Sequence, residues 1–207
     1  MQFKNRTQAG IELAQALSKY NNKDGVVYAL PRGGVPLGVE VAKALHMPLD
    51  LIIPRKIGHP SNPEYAICAV GESGALVCNE AEVSRVDQEW FQQQVQAERE
   101  EARRRRTHYL KHRSSVPLKG KTAIIVDDGI ATGFTMEAAI QDARQQRPGR
   151  VVVAVPVVPR DTMDRLRNEV DEVVTLDIPE VYLGAVGAYY DDFAQVSDEE
   201  VIDMLQR

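Results

Sequence analysis

The 207-residue sequence contains only two cysteines, Cys68 and Cys78, without CxxC spacing or a nearby histidine cluster. Two cysteines are too few for a disulfide framework, so we expect buried, free thiols and a cytoplasmic protein. No stretch approaches the about 20 apolar residues of a membrane-spanning helix, and the first ten residues lack the apolar core of a secretory signal. The net charge of -5 does not favour a general binder of nucleic acid or membrane surfaces.

Short apolar runs alternate with segments of helical periodicity along the whole chain. Strands are predicted at 26–30, 49–53, 75–78, 123–126, 151–155 and 173–176. Helices are predicted at 8–20, 35–45, 84–112, 135–146, 161–168 and 198–206, the last with Ser197 as N-cap. Near-continuous valine and isoleucine runs are typical of strands buried on both faces. The sequence therefore predicts one α/β domain over residues 1–207, with a mostly parallel twisted sheet flanked by helices.

Ligands of parallel sheets bind at the carboxyl ends of the strands, so the residues that follow each strand carry the functional signal. After the first strand, Arg32 precedes Gly33 and another glycine, which suits close approach of an anion to backbone N–H groups. A tight turn with a surface arginine is the alternative. After the second strand, Arg55 and Lys56 point to opposite faces of an extended segment. One can face an anion while the other pairs with an acid; the alternative is two solvated charges.

The strand at 123–126 runs into two adjacent acids, Asp127 and Asp128, and a turn of small residues. This turn lacks the GK[ST] of a triphosphate loop and the GxGxxG of a dinucleotide site. Its backbone N–H groups and hydroxyls, at a helix start, predict a monophosphate site. The residues of this site are Gly129, Ile130, Ala131, Thr132, Gly133 and Thr135. The acids would accept hydrogen bonds from sugar hydroxyls, unless they only cap the helix. The ligand implied has phosphate at both ends and a polyol between them.

Three of these segments together resemble a known family. "IIVDDGIATG" resembles the 5-phosphoribosyl-1-pyrophosphate (PRPP) signature of the type I phosphoribosyltransferases. "LPRGG" is similar to the pyrophosphate loop of that family, and "PRKIG" resembles the Arg-Lys segment of its adenine-specific members. "NPEYAICAVGE" and "VGAYYDDF" are similar to a poorly characterised bacterial branch. The resemblance covers nearly the whole chain in order and spacing.

The resemblance implies roles for the residues just named. Asp127 and Asp128 would bind the ribose 2- and 3-hydroxyls, and the turn that follows would bind the 5-phosphate. Arg32 and Gly33 would meet the pyrophosphate with the help of Lys56, and a non-proline cis peptide is expected within residues 30–33. Mg²⁺ would bridge pyrophosphate and ribose oxygens; it borrows few protein ligands, so no side-chain cage is expected beyond Asp127 or Asp128.

The reaction that the resemblance implies is Mg²⁺-dependent transfer of a 5-phosphoribosyl group from PRPP to an acceptor, expected to be a nucleobase, with release of pyrophosphate. The sugar passes through an oxocarbenium-like state, as in glycoside cleavage, and a flexible loop, predicted at 57–74, would exclude water. The acceptor would lie under a hood at residues 177–195. Tyr182, Tyr189 and Tyr190 would stack on a base or pack the hood, and Asp191 matches a purine contact unless it is solvated.

Two features depart from the family pattern. Ala131 stands where enzymes acting on 6-oxopurines carry an aspartate, which argues against hypoxanthine or guanine as acceptor. The helix at 84–112 is an addition with an arginine run at 103–106, of which Arg103, Arg104 and Arg105 would pair with Glu98, Glu100 and Glu101. Trp90, Phe91 and Val95 would dock it on the core or on a second subunit, which is consistent with a homodimer. A PRPP-sensing regulator without turnover, with this arginine run on nucleic acid, is the alternative function.

Overall fold

The structure, a computed structural model, describes residues 1–111 and 113–206. The strands are β1 (Gly25–Ala29), β2 (Leu49–Leu51), β3 (Arg55–His59), β4 (Asn62–Val70), β5 (Leu76–Cys78), β6 (Thr122–Val126), β7 (Arg150–Val157) and β8 (Glu172–Asp177). The helices are α1 (Arg6–Ala16), α2 (Gly34–Leu45), α3 (Glu80–Val83), α4 (Gln88–Leu110), α5 (Phe134–Gln145), α6 (Arg160–Leu166) and α7 (Asp198–Gln206). Short 3₁₀ helices cover Ser18–Tyr20 and Val186–Tyr189.

The main sheet has five strands in the order β2-β1-β6-β7-β8, and all neighbouring pairs are parallel. The predicted fold class is confirmed. Val27 and Ile124 lie in one apolar cluster with Leu13 of α1 and Val41 of α2, whereas Ile125 lies in a second cluster with residues of α5 and α6. Because side chains alternate across a strand and both faces are covered, each strand has to be apolar at nearly every position.

Residues 57–74, predicted as a flexible loop, instead contain strand structure. β3, β4 and β5 form a separate antiparallel sheet, and the register of β3 on β4 shifts at Ile57–Gly58 and again at Gly58–His59. A Cβ at Gly58 would overlap the carbonyl group of Pro63, so the two backbones approach more closely than in a regular ladder. The glycines and prolines that suggested a loop therefore belong to an irregular hairpin, since these residues are often found at bulges.

The long helix begins later than predicted, at Gln88 rather than at residue 84. Asp87 is its N-cap, with Oδ1 accepting from the N–H of Trp90 at 2.8 Å, and the short α3 precedes it. Phe91 is buried among residues of the small sheet, and Tyr109 near the other end packs in a cluster with α7. Docking of this helix on the core is therefore confirmed, and α4 joins the small sheet to the main domain. Among residues 1–111 and 113–206, no helix combines the length and apolarity of a bilayer-crossing segment.

Cys68 and Cys78 were expected as free thiols, and that expectation is wrong in this structure. They are direct register partners on β4 and β5, with Cα atoms 4.1 Å apart, and their sulfur atoms form a disulfide. Directly opposite residues of antiparallel strands come as close as a disulfide requires. The sequence carried no sign of this pairing because β4 had not been predicted as a strand.

Ser197 is confirmed as the N-cap of α7. Its Oγ accepts from the N–H of Glu200 at 3.1 Å, and its own N–H donates to the Glu200 carboxylate at 2.7 Å. This reciprocal pair is a capping box, which satisfies two N–H groups that the helix itself leaves without partners. The cap fixes the position at which Asp198, the first residue of α7, enters the site described below.

Candidate functional site

Two loops that are distant in the sequence lie side by side because their strands are neighbours. β1 pairs with β6 so that Ala29 and Val126 are in register, and the N–H of Leu30 donates to the Val126 carbonyl at 3.0 Å. The segment after β1 therefore runs directly beside the acid pair that follows β6. The peptide bond between Pro31 and Arg32 is cis and precedes a non-proline residue, which confirms the expectation for residues 30–33.

The two glycines after Arg32 are required by this close approach. A Cβ at Gly33 would overlap Oδ2 of Asp128 and lie 2.7 Å from its Cγ. A Cβ at Gly34 would lie 2.7 Å from the Val126 carbonyl oxygen. Real Cβ atoms do not approach this closely, so only glycine fits at both positions. The glycine pair and the acid pair, treated separately in the sequence, are therefore parts of a single site.

A small cavity of about 170 Å³ lies over the turn that follows the acids. Its lining comprises Lys56, Asp127, Asp128, Gly129, Ile130, Ala131, Thr132, Gly133, Thr135, Met136 and Val186. Gly133, at φ 93°, is the residue that enters α5, and this left-handed conformation favours glycine. The carbonyls of Ala131 and Thr132 accept hydrogen bonds from the Thr162 hydroxyl and the Arg165 guanidinium of α6. These bonds hold the turn open at the start of a 12-residue helix, whose N-terminal end attracts anions.

One predicted phosphate contact is excluded by the geometry. The N–H of Ile130 donates to the carbonyl of Val157 at 3.0 Å, so it is already used within the sheet. The Ile130 side chain is buried in the core. The N–H groups further along the turn and the hydroxyls of Thr132 and Thr135, which stay accessible, remain the predicted phosphate contacts.

The acid pair is electrostatically costly. Burial raises the pKa of Asp127 well above its usual range, and the neighbouring carboxylate of Asp128 raises it further. Burial also raises the pKa of Asp128, although the guanidinium of Arg6 opposes that shift. Oδ1 of Asp127 accepts from the N–H of Asp128 at 2.9 Å. A buried acid pair is more than helix capping needs. It provides hydrogen-bond acceptors beside the turn of residues 129–133, called the anion turn below.

The three predicted cations have different surroundings. Lys56 lines the cavity, whereas Nε of Arg55 donates to Glu98 of α4 at 2.7 Å. The prediction that one of these neighbours pairs with an acid is confirmed for Arg55; that Lys56 faces an anion stays a prediction. Nη1 of Arg32 lies 3.5 Å from Oδ1 of Asp198, the residue at the start of α7.

The comparison with known proteins agrees with this arrangement. The family model described as "Phosphoribosyl transferase domain" matches residues 2–192. This chain belongs to the phosphoribosyl transferase family. The protein named "Putative phosphoribosyl transferase Rv0571c" of Mycobacterium tuberculosis is 44% identical over 207 residues, which are 99% of this chain and 46% of that protein. The chain thus spans about half the length of the curated relatives it matches.

Solved structures agree at the level of the fold. The crystal structure of TT1426 from Thermus thermophilus is 43% identical with a TM-score of 0.82, and the alignment covers 99% of this chain and 98% of that one. The AQ2163 protein of Aquifex aeolicus, 12% identical over 84% of this chain and 74% of its own, has a TM-score of 0.52 and shares the fold alone.

Three tyrosines lie in residues 177–195, the segment predicted as a hood. Tyr189 and Tyr190 are buried, and the Tyr190 hydroxyl donates to the Asp128 carbonyl at 2.6 Å, so packing is their role here. Tyr182 is half-buried and stacks on Tyr189 with ring centroids 5.5 Å apart. Its hydroxyl is buried, has no hydrogen-bond partner in the described part of the chain, and burial raises its pKa to about 12. Asp191 is exposed and does not line the cavity.

Sequence reasoning missed Arg6, which lies at the start of α1, 122 positions before its partner Asp128. Its Nε donates to Oδ2 of Asp128 at 2.8 Å. It also missed Asp198, which accepts from the Tyr109 hydroxyl at 2.7 Å and faces Arg32. No local motif marks either residue, since both reach the phosphoribosyl transferase site only through the packing of whole helices.

The arginine run on α4 divides between two roles. Arg104 and Arg105 pair with Glu101 at 2.7 Å, so self-pairing is confirmed for them. Arg106, for which no acidic partner was predicted, donates to the buried carboxylate of Asp50 at 2.8 Å and to Glu72 at 3.2 Å. The expected pairing of Glu98 with the run is also wrong, because Glu98 binds Arg55.

The residues of the site are compatible with a magnesium ion that is bound mainly by the phosphate groups of a ligand. Within residues 1–111 and 113–206, no group of three or more His, Cys, Asp or Glu side chains could hold a metal by itself. Asp127 and Asp128 nevertheless provide carboxylate oxygens beside the anion turn. Mg²⁺ retains waters and takes few protein oxygens when phosphates provide the others, so the acid pair fits such an ion.

Proposed function

We propose that this protein transfers the 5-phosphoribosyl group of PRPP to an acceptor, a nucleobase by its chemistry, and releases pyrophosphate. The observation that carries the proposal is the contact between Gly33 and Asp128. It brings the segment suited to pyrophosphate against the acids suited to a ribose diol, and the monophosphate turn follows directly. PRPP has these three groups in this order, and family membership supports the same ligand.

In this proposal each end of the ligand has its own contacts. The 5-phosphate binds the N–H groups from Ala131 to Gly133 and the hydroxyls of Thr132 and Thr135. Asp127 and Asp128 accept from the ribose 2- and 3-hydroxyls. Arg32, with its forked donors, and Lys56, a mobile point charge, neutralise the pyrophosphate as it leaves, because charge develops there when the bond to C1 of the ribose breaks.

Mg²⁺ belongs to the proposal as a companion of PRPP. Asp127 or Asp128 would hold it through a carboxylate oxygen, with phosphate oxygens and water as its other ligands. When bound, the ion supplies charge neutralisation for the leaving pyrophosphate. The side chains of Arg32 and Lys56 add to that neutralisation from the protein.

The acceptor is constrained by what the turn lacks. Ala131 contributes no acid or base, and its carbonyl is already bonded to Thr162. This supports an acceptor other than a 6-oxopurine. The buried Tyr182 hydroxyl supports a polar acceptor group under the hood, since a buried hydroxyl without a partner is costly until a ligand satisfies it. Asp191, exposed in this structure, would contact the acceptor only if the hood moves.

The first test is pyrophosphate release from PRPP and Mg²⁺, with purine and pyrimidine bases added one at a time. Release stimulated by one base supports the transferase and identifies its acceptor. PRPP binding without release for any base would contradict the transfer reaction and favour the sensing function. The pairing of Arg104 and Arg105 with Glu101 does not support a nucleic-acid surface for that function.

The second test is Asp128→Asn. We expect at least about a tenfold loss of kcat/KM, because hydrogen bonds to charged acceptors contribute roughly 1.5–3 kcal/mol. Far-ultraviolet circular dichroism should stay unchanged. Asp203→Asn, on an exposed position of α7, is the matched control and should retain full turnover. Unchanged turnover in Asp128→Asn would remove the assigned role from this residue.

A homodimer completes the proposal. Residues 177–195 leave Val181 and Leu183 exposed, and a second copy of the chain would cover this apolar surface. Light scattering at working concentration should give twice the monomer mass. A monomeric mass would exclude the dimer while leaving the reaction intact.

A further inference from the structure

Arg6 reaches the proposed ribose site from outside every motif of the sequence. Its Nε donates to Oδ2 of Asp128 at 2.8 Å, and only 11% of the Arg6 side chain is exposed. Among the described residues, it is the one cation that hydrogen-bonds directly to either member of the acid pair. Lys56 lies nearby and lowers the pKa of Asp127 through its charge, without such a bond.

The Arg6 side chain is itself fixed from two sides. Nη1 donates to the carbonyl of Ala194 at 2.7 Å, and the guanidinium carbon lies 3.7 Å from the centroid of the Phe193 ring. Both partners lie in the segment predicted as the hood, residues 177–195. A guanidinium that is stacked and bonded in this way has little freedom, so it presents Nε to Asp128 in one orientation.

Helix stability does not explain an arginine at this position. Arg6 is the first residue of α1, and the positive end of a helix dipole disfavours a cation there. The first turn of α1 contains no acidic residue that would offset this cost. The compensation for Arg6 therefore comes from its contact with Asp128.

The carboxylate of Asp128 lies between Arg6 and Gly33. Oδ2 accepts from Arg6, and the same oxygen would overlap a Cβ at Gly33. A carboxylate has about four acceptor positions, so the bond to Arg6 leaves capacity for ribose hydroxyls. An uncompensated carboxylate next to a pyrophosphate would repel it, and Arg6 provides the compensating charge on the protein side.

We propose that Arg6 is a positioning residue that holds and neutralises Asp128 for the ribose hydroxyls of PRPP. The inference deepens the proposed function and rests on it for the identity of the ligand. The inference gives the two acids different roles, because Arg6 contacts Asp128 and not Asp127.

The test measures binding rather than turnover, so it does not depend on the acceptor. Wild type, Arg6→Met and Arg6→Lys are titrated by calorimetry with PRPP and Mg²⁺, with ribose 5-phosphate, and with inorganic phosphate. Arg144→Met is the matched control, because Arg144 donates to the Glu169 carbonyl at the far end of α5, away from the cavity. Thermal unfolding of each variant shows whether it is folded.

We expect Arg6→Met to weaken ribose 5-phosphate and PRPP binding about tenfold or more, the usual effect of losing a bond to a charged group. Inorganic phosphate, which needs only the turn, should bind within about twofold of wild type, and Arg6→Lys should recover part of the loss. If Arg6→Met does not fold, Phe193→Leu replaces it, since this variant keeps the cation and removes the ring that orients it; a ribose-specific loss is expected again.

Three results would overturn the inference. Wild-type affinity for ribose 5-phosphate in a folded Arg6→Met variant would show that the contact does not serve the ligand. An equal loss for ribose 5-phosphate and phosphate would show a structural role only. Wild-type protein that binds ribose 5-phosphate without any turnover would contradict the proposed reaction and leave the Arg6 inference standing. Absence of both PRPP and ribose 5-phosphate binding in wild type would overturn both.

Discussion

Asp128 lies where three distant chain segments meet. Arg6 bonds to its carboxylate, Gly33 abuts that carboxylate, and the Tyr190 hydroxyl donates to its backbone carbonyl. The motif supplies the acid, and these three contacts fix its orientation. At the residue scale, the orientation of Asp128 therefore depends on residues outside the motif that contains it, and Arg6 belongs to none of the motifs.

Gly33→Ala tests the contact between the two loops. The added methyl group would overlap the Asp128 carboxylate, so we expect PRPP binding to fall at least about tenfold, as expected for a clash that displaces a charged ligand-binding group. Calorimetry measures the affinity.

Gly120→Ala is the control for this substitution. Gly120 has φ 76°, and no atom lies within 4 Å of the position that an added Cβ would take. The substitution should therefore lower the free energy of unfolding by about 1 kcal/mol and leave the PRPP affinity unchanged. Equal PRPP affinity in Gly33→Ala and wild type would show that the loops have room to separate.

Glu72 is the residue whose titration should influence stability. Burial raises its pKa to about 7, Arg106 opposes that shift, and the charges of Asp142 and Asp50 add to it. The pKa of Glu72 is about 7 in the folded protein and about 4.5 in the unfolded chain, so between these pH values the folded protein binds more protons than the unfolded chain. Stability should therefore fall as pH rises from about 4.5 to 7, by up to about 3 kcal/mol for this group.

Glu72→Gln removes that titration. Urea unfolding of wild type and variant at several pH values between 5 and 8 should show the wild-type stability declining relative to the variant as the pH rises. Parallel curves for the two proteins would mean that Glu72 titrates normally in the folded state.

At the scale of elements, α4 shows how a helix distributes identical residues. Successive positions are rotated by about 100°, so the run of four arginines cannot face one direction. Arg104 and Arg105 lie beside Glu101, whereas Arg106 faces the end of β2 and the fully buried Asp50. The pairs along the helix were predictable from spacing, and the pairing with Asp50 was not.

Arg106→Met should therefore destabilise the protein far more than Arg103→Met. Removing one partner of a buried ion pair costs about 3–5 kcal/mol, because the remaining carboxylate stays buried without its cation. Arg103 is exposed, and its loss should stay within about 0.5 kcal/mol. The two free energies of unfolding in urea give the comparison, and similar values would show that Asp50 finds another partner or a proton.

At the scale of the whole molecule, α4 and α5 join the two sheets, because both helices pack on strands of the smaller sheet and α5 also packs on β6 and β7. The parallel sheet is buried on both faces, whereas the sheet of β3, β4 and β5 has a separate apolar cluster with Phe91 and Val86. Lys56 projects from this smaller sheet into the cavity of the larger one. A ligand in the cavity would therefore contact both sheets. The hairpin of β3 and β4 would then act as the lid, the part of the structure that excludes water and that the sequence predicted as a flexible loop at 57–74.

Hydrogen exchange tests that lid. Amides of β3 and β4 should exchange faster than those of β6 and β7 in the free protein, since fewer buried contacts protect them, and PRPP with Mg²⁺ should slow them. Mass spectrometry of peptic fragments resolves the two sheets. Protection of the hairpin equal to that of β6, with and without PRPP, would contradict a lid at this position.

The sequence by itself determined the parallel sheet and the turn of small residues between β6 and α5. Unbroken apolar runs require strands covered on both faces, and small residues after a strand require a tight turn at a helix start. It also determined the alternation of Arg55 and Lys56, because the side-chain period of a strand is local. These features depend on neighbours within a few positions.

Only the tertiary structure decided the rest. Arg6 meets Asp128 across 122 positions, and Asp198 faces Arg32 across 166. The hairpin at Arg55–Val70 depends on a register with two shifts, and the pairing of Cys68 with Cys78 depends on the register of β5 on β4; no local pattern shows either. The physical reason is the same in each case: packing of whole elements sets these contacts, and packing depends on the complete chain.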